Sequence, residues 1–559
     1  MKRVVGISFL FILANLFSAI AQEKTDTSSG TDEILSRAFQ ISGQLGLYGE
    51  LYTIHGKDNR RPPATGRIFF QPTITLFNNF SIYFDIFIST EGSQARQQLS
   101  TLSLHPGWSW GKAHLGTFNH QFTPLTLSGE TITGGGLELF PGIFRLEIVG
   151  GRTRRKVNNG IYNSTYTRHL YGVKLGLITG EGSSTNINIV KAKDDISSLP
   201  KITTAGVDSD STELQYRITP KENLVLSMNT NFNFLKLFNF SGEIAGSVLS
   251  NNLNSSVIES DDIPKFVNNL FKIRTSTNVD FAYQAGFKFN YDIVNVGVFY
   301  SVINPGYQSL GITSNINDER TIKAEAGISL LEKKLTLRGN YQIQNNNLLN
   351  QKLFTLVRTS FGISTTYQPI NTVSLSINMS RNIMKNDTEL ETNKIENLVS
   401  LYSINTLWQL DVLNMKHSLS VSYSHQKSED LNILRKDYSS ISKNINMGIT
   451  TLFNNNWTLS PMVSINIFEV PNRTYQATQT YSMMAMIRML ESKLSNSFTL
   501  SYMNSSDINS VMFTLQSSYN ISKYDVVQFT LRTSMYFGKL ENVHDFKEHR
   551  GTINFVHRF

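Results

Sequence analysis

The chain has no cysteine among its 559 residues. That excludes a disulfide framework, thiolate metal ligation and lipidation on an N-terminal cysteine. Proline is scarce, at 13, and no Pro/Ser-rich stretch or shift in composition marks a boundary between domains. Beyond residue 17 no apolar run approaches the ~20 residues that a spanning helix needs. Helical periodicity is nearly absent. Charged residues are few, at 17%, and the net charge of +8 comes from scattered basic residues, which argues against nucleic acid as a partner. A mean hydropathy of −0.19 suggests a soluble protein, yet a soluble chain of this length is expected to divide into several domains.

What is present is alternation. Leu335, Leu337, Gly339, Tyr341 and Ile343 alternate with Thr336, Arg338, Asn340 and Gln342. Val373, Leu375, Ile377 and Met379 alternate with Ser374, Ser376, Asn378 and Ser380. Period two with one apolar and one Ser/Thr/Asn/Gln face describes strands between lipid and a wet interior, and it keeps average hydropathy low. Leu335, Leu337, Val373 and Leu375 are expected to meet lipid. Thr336, Arg338, Ser374 and Ser376 are expected to face a lumen.

The connections also alternate. Short ones fall near Tyr291-Asp292, Glu332-Lys333, Pro369–Asn371, Val412–Asn414, Asn454–Asn456, Glu491–Lys493 and Ser522-Lys523. Longer polar ones fall at Asn304–Arg320, Gln344–Lys352, Arg381–Lys394, Lys427–Asp437, Glu469–Arg473 and Lys539–His549. This sorting predicts an all-β fold: a transmembrane antiparallel β-barrel with short periplasmic turns and longer extracellular loops. At roughly 21–22 residues per strand and connection, residues 41–559 give about 24 strands, an even number between 22 and 26. His105-Pro106-Gly107-Trp108 is expected to be a turn, with Trp108 and Trp110 at the headgroup level.

Both ends of the chain fit this scheme. Residues 1–21 are expected to be a signal peptide, with Lys2 and Arg3, the apolar run Val4–Phe17, and Ala19-Ile20-Ala21 before Gln22. Residues 22–40 are expected to be a polar periplasmic lead-in. The last nine residues, Gly551–Phe559, alternate, and are expected to pair with the first strand and leave no open edge.

Three segments stand out. Asn119–Pro141, with Gly134, Gly135, Gly136 and Glu138, is too long and apolar for a routine loop. It is expected to fold inward as a lumen constriction; the alternative is an irregular strand pair with glycines inside the wall. Asp261–Ile273 places Ile263, Phe266, Val267, Leu270 and Phe271 on one helical stripe, for a gate, a partner or the rim. The basic cluster Arg152, Arg154, Arg155 and Lys156 suits a constriction that selects anions, lipopolysaccharide phosphates, or a solvated loop root.

The alternating wall, the terminal GTINFVHRF and the stretch GGGLELFPGIFRLEIVGGR together resemble large outer-membrane barrel proteins of the Gram-negative, Bacteroidota type. The resemblance implies residence in the outer membrane, contact with its lipid and lipopolysaccharide, and insertion by machinery that reads the strand ending in Phe559. It also implies a channel or transport pore, or a structural or accessory part of an envelope complex with protein partners. The short lead-in is expected to hold no plug of the kind that a TonB-gated receptor carries. No enzyme is expected: His55, His120, His169, His417 and His425 stand apart with no nucleophile motif. No cofactor or metal site is expected either, since there is no His-x-His, and Asp208-Ser209-Asp210 lacks the other ligands of a calcium loop.

Overall fold

The computed structural model describes residues 38–91, 100–200, 202–203, 213–214, 218–258, 270–314, 316–454, 456–471, 475–541 and 543–559. The expected signal peptide, most of the lead-in, Asp208–Asp210 and residues 261–269 of the expected helix lie outside these. Phe271, at the end of that stripe, is buried.

Twenty-six antiparallel strands form one sheet, and each pairs with its neighbours in sequence. The first are β1 (Phe39–His55), β2 (Ala64–Leu76), β3 (Phe80–Ser89), β4 (Thr101–Trp108), β5 (Gly111–Asn119) and β6 (Thr131–Leu139). Next come β7 (Phe144–Arg154), β8 (Thr167–Ile178), β9 (Ser184–Asp195), β10 (Glu222–Phe234), β11 (Phe238–Ser250), β12 (Thr277–Tyr291) and β13 (Val294–Ile303). The last is β26 (Phe546–Arg558). It pairs with β1 from Gln44↔Arg558 to His55↔Lys547, and the N–H of Gly43 donates to the carbonyl of Phe559 at 2.9 Å. The sheet is therefore a closed barrel with no free edge.

The connections sort as their lengths predict. At one end they hold two to five residues; at the other they run from three, at 505–507, to twenty-six, at 196–221 and 251–276. The tight turns bring the repeat to about twenty residues per strand, which is why the count reaches the top of the expected range. All four tryptophans lie at the short-turn end. Trp108 and Trp110 meet edge-to-face at 5.4 Å, and Trp408 and Trp457 stand beside other turns. Phe234, Phe238, Phe289 and Tyr291 form rows at the same end, with centroids 5.2–6.5 Å apart, as in an interfacial girdle.

His105–Trp108 is strand, not turn; the turn is Ser109-Trp110. Proline misled the reading there. Pro106 lacks an N–H, and the β4–β5 ladder skips it, passing from Leu104↔Leu115 to Gly107↔Lys112. Pro72 sits at the same kind of gap, with no β2–β3 pair between Phe70↔Ile86 and Thr73↔Tyr83.

The register supports the expected two faces but moves the membrane midplane. Val373 pairs with Trp408, an interfacial ring, so Leu375 lies only two residues from the headgroup level. Ile377, paired with Ile404 and Thr365, is nearer the middle. Ile377→Arg is expected to cost about 2–4 kcal/mol, Leu375→Arg about 1, and Ser376→Arg less than either. Urea unfolding in lipid vesicles measures this; equal costs at 376 and 377 would show that the faces are misassigned.

Candidate functional site

Residues 120–130 join β5 to β6 at the long-loop end, but they turn inward. Phe122, Leu125 and Leu127 of this connection are buried, as are Phe118 and Ile132 on its flanking strands. They pack with Val149, Leu170 and Val190 of β7, β8 and β9, and with Val225, Ala245 and Ala282 of β10, β11 and β12. Those wall positions lie on the face opposite Tyr171, Leu175, Met228 and Ile244, which are more than half exposed on the apolar outer surface. The segment therefore occupies the lumen.

A second connection, 304–318, meets it there. Tyr307 O–H donates to the carbonyl of Leu125, and Ser309 Oγ to that of Thr126, each at 2.5 Å. The N–H of Ser128 donates to the carbonyl of Gly311 at 2.9 Å. From the wall, Asn223 Nδ2 and Ser247 Oγ both donate to the carbonyl of Gln308, at 3.1 and 2.6 Å. Burying Phe122, Leu125 and Leu127 contributes about 1.5–3 kcal/mol each, which offsets part of the ~1–2 kcal/mol per residue of fixing the backbone, and the cross-segment hydrogen bonds add to it. Asp318 closes the segment, accepting from the N–H groups of Asn347 and Leu348 at 2.9 and 2.8 Å. Burial raises its carboxyl, but the Lys352 ammonium and these donors outweigh burial and hold it below the usual carboxylate range.

The candidate constriction Asn119–Pro141 thus divides into an inward part and a wall strand. Gly134, Gly135, Gly136 and Glu138 belong to β6 and pair in the wall, Gly134 opposite Gly151 and Gly135 opposite Gly150. A Cβ at Gly134 would lie 2.1 Å from the Gly150 carbonyl oxygen, so the glycines serve close strand approach. Across the lumen face, a Cβ at Gly172 would come within 2.9 Å of the Phe122 ring. Its absence forms the seat for that side chain.

The basic cluster is not brought together on one face. A bulge between Arg152 and Arg154 interrupts β7 against β8. Arg152 pairs with His169 on the outer face, while Arg154 pairs with Arg168 and reaches Glu130 inside at 3.8 Å. Lys156 is exposed at the rim.

Reading the histidines as separate missed a polar group beside the inward segment. Period two puts His114 and Phe118 on the lumen face of β5, and His120 follows where the chain turns inward. His114 Nε2 lies 2.6 Å from Glu138 Oε1, and His120 Nδ1 lies 3.6 Å from the same oxygen. His120 Nε2 contacts Glu147 Oε2 at 2.8 Å, and His114 Nδ1 contacts His105 Nδ1 at 2.7 Å. Glu147 is fully buried; it is paired with Arg145 and lies 3.7 Å from Lys174, whose ammonium also donates to the Phe122 carbonyl at 3.1 Å. Ligand atoms of His114, His120 and Glu138 all lie within 4.8 Å of one another. The i, i+6 spacing of His114 and His120 is the one signal the sequence carried.

The opposite wall is different. Arg338, Ser364, Asn378, Ser403, Ser424, Asn444, Asn466 and Thr478 form one cross-strand row on the lumen face, and none of them is buried. Among the described residues, every buried apolar one except Phe546 precedes residue 311. The lumen is filled on one side and lined by neutral polar groups on the other.

No protein-family model and no curated protein matches the chain. Among solved structures it is similar to the P pilus usher (PapC) translocation pore, at 9% identity over 93% of this chain and 99% of that one, with a TM-score of 0.40. It is also similar to the ferric enterobactin receptor (PfeA) of Pseudomonas aeruginosa, at 10% identity over 93% and 80%, with a TM-score of 0.43. For OccAB2 of Acinetobacter baumannii the identity is 9% over 67% and 97%, with a TM-score of 0.29. These likenesses are of fold alone. Closure without an edge, the apolar outer belt and the sorted connections make this chain a large outer-membrane β-barrel.

Proposed function

We propose that the protein is an outer-membrane channel whose passage is narrowed by the two inward segments, 120–130 and 304–314. The observation that carries this reading is the asymmetry of the lumen. Twenty-six strands enclose more space than side chains fill. The inward segments take up the side of β5–β12, and the unburied Ser/Asn/Thr rows line the other side. Such a surface hydrates polar solutes without holding them, which suits diffusion better than tight binding. At the outer rim, Arg152 and Lys156 would meet lipopolysaccharide phosphates, and the strand ending in Phe559 would be read by the insertion machinery.

Liposome swelling with neutral sugars of increasing size tests the reading. A cut-off at small solutes is expected, with little discrimination by charge. Protein that is folded but passes no solute, and that co-purifies with envelope proteins in fixed ratio, would instead favour a structural part in a complex.

A further inference from the structure

We infer that His114, His120 and Glu138 form a binding site for a divalent transition-metal ion of the zinc class, independent of whether the barrel conducts. Two imidazole nitrogens and one carboxylate are a donor set for such an ion, which leaves a fourth position for water. Around a tetrahedral ion with bonds of ~2.0–2.1 Å, ligand atoms stand about 3.3 Å apart. The 3.6 Å from His120 Nδ1 to Glu138 Oε1 is already close to that, and the 2.6 Å from His114 Nε2 widens as the ion replaces the shared proton.

The second argument is what lies behind the ligands. A histidine that binds a metal through one nitrogen presents the other N–H to an acceptor, which fixes its ring and raises its basicity. Both histidines meet that requirement. With His120 Nδ1 toward the ion, Nε2–H donates to Glu147 at 2.8 Å. With His114 Nε2 toward the ion, Nδ1–H donates to His105 Nδ1 at 2.7 Å, and His105 Nε2–H then donates to Ser103 Oγ at 2.9 Å. Glu147 is itself held in place by Arg145 and Lys174. A cavity of about 340 Å³ lined by Asp85, His105, Lys112 and His114 lies beside the ligands. Because His120 opens the inward segment while His114 and Glu138 belong to the wall, the ion would fasten that segment to β5 and β6.

The test uses full-length barrel in detergent, stripped with EDTA and titrated with zinc by calorimetry, with cobalt(II) absorption as an independent report of coordination. One ion per chain is expected, with a tetrahedral cobalt spectrum. His120→Ala and Glu138→Gln are each expected to weaken binding by more than tenfold, and Glu147→Gln, behind the ligand, by about tenfold or more. Heat-modifiable migration on gels confirms that each variant is folded. His105→Gln, which contacts no ion, serves if a ligand variant fails to fold; a loss of about tenfold is again expected. Absence of saturable binding by folded wild type overturns the site, as does affinity unchanged in every folded variant.

Discussion

Replacing residues 121–129 with a short glycine–serine turn is expected to raise conductance in planar bilayers severalfold while the barrel stays folded. The boundaries follow from the register. Asn119 pairs with Thr131, so β5 and β6 are already brought together for a tight hairpin, and the wall strand carrying Gly134–Gly136 must be left intact. The deletion removes Phe122, Leu125 and Leu127, and with them the main contacts of Tyr307 and Ser309 on the second segment. The strand-to-strand ladder of the wall is untouched, and the wall loses only side-chain bonds such as that of Lys174 to the Phe122 carbonyl, so unfolding resistance should fall far less than conductance rises. An unchanged, small conductance would assign the constriction to 304–314, which replacement of both segments would then release. A wide pore in the wild type would show that neither segment limits passage.

Glu147→Gln is expected to destabilise the barrel by about 3–5 kcal/mol, the cost of leaving a buried charge without its partner. The Glu147 side chain is fully buried, and Lys174, with only 4% of its side chain exposed, lies 3.7 Å away. Glutamine keeps the shape and an acceptor for His120, so the loss isolates the charge. Lys174→Met in the same chain should recover much of the stability, since neutral replacements of both charges avoid their desolvation. Urea unfolding in lipid vesicles gives both numbers. A cost below about 1 kcal/mol would mean that lumen water screens the ammonium.

The membrane and lumen faces were legible from sequence because a strand's period is two regardless of its neighbours. The alternation at Leu335–Ile343 needed no tertiary information, and the sorted connections carried the barrel, its approximate size and its closure through Phe559. The depth of each residue was not legible, because depth depends on which strand ends lie level with the girdle. Leu375 moved toward the interface once Val373 was seen to pair with Trp408. Pro106 failed for a related reason: one strand tolerates a missing donor where its ladder has a gap, and gaps belong to the pair.

The site was the least legible part. The inward segment was marked by its apolar content, but the split at Thr131 depends on which residues β5 and β7 offer for pairing. The four basic residues after Gly151 look like a patch in sequence, and a single bulge separates Arg152 from Arg154 across the wall. His105, His114, His120, Glu138 and Glu147 spread over more than forty positions and share no motif. Antiparallel pairing sets the four strand residues side by side, since register converts distance along the chain into contact across strands, and the inward turn after Asn119 adds His120. The sequence by itself determined a closed, two-faced outer-membrane barrel, because hydropathy and turn chemistry are local. Only the tertiary structure decided what fills its lumen, because that depends on contacts between residues far apart in the chain.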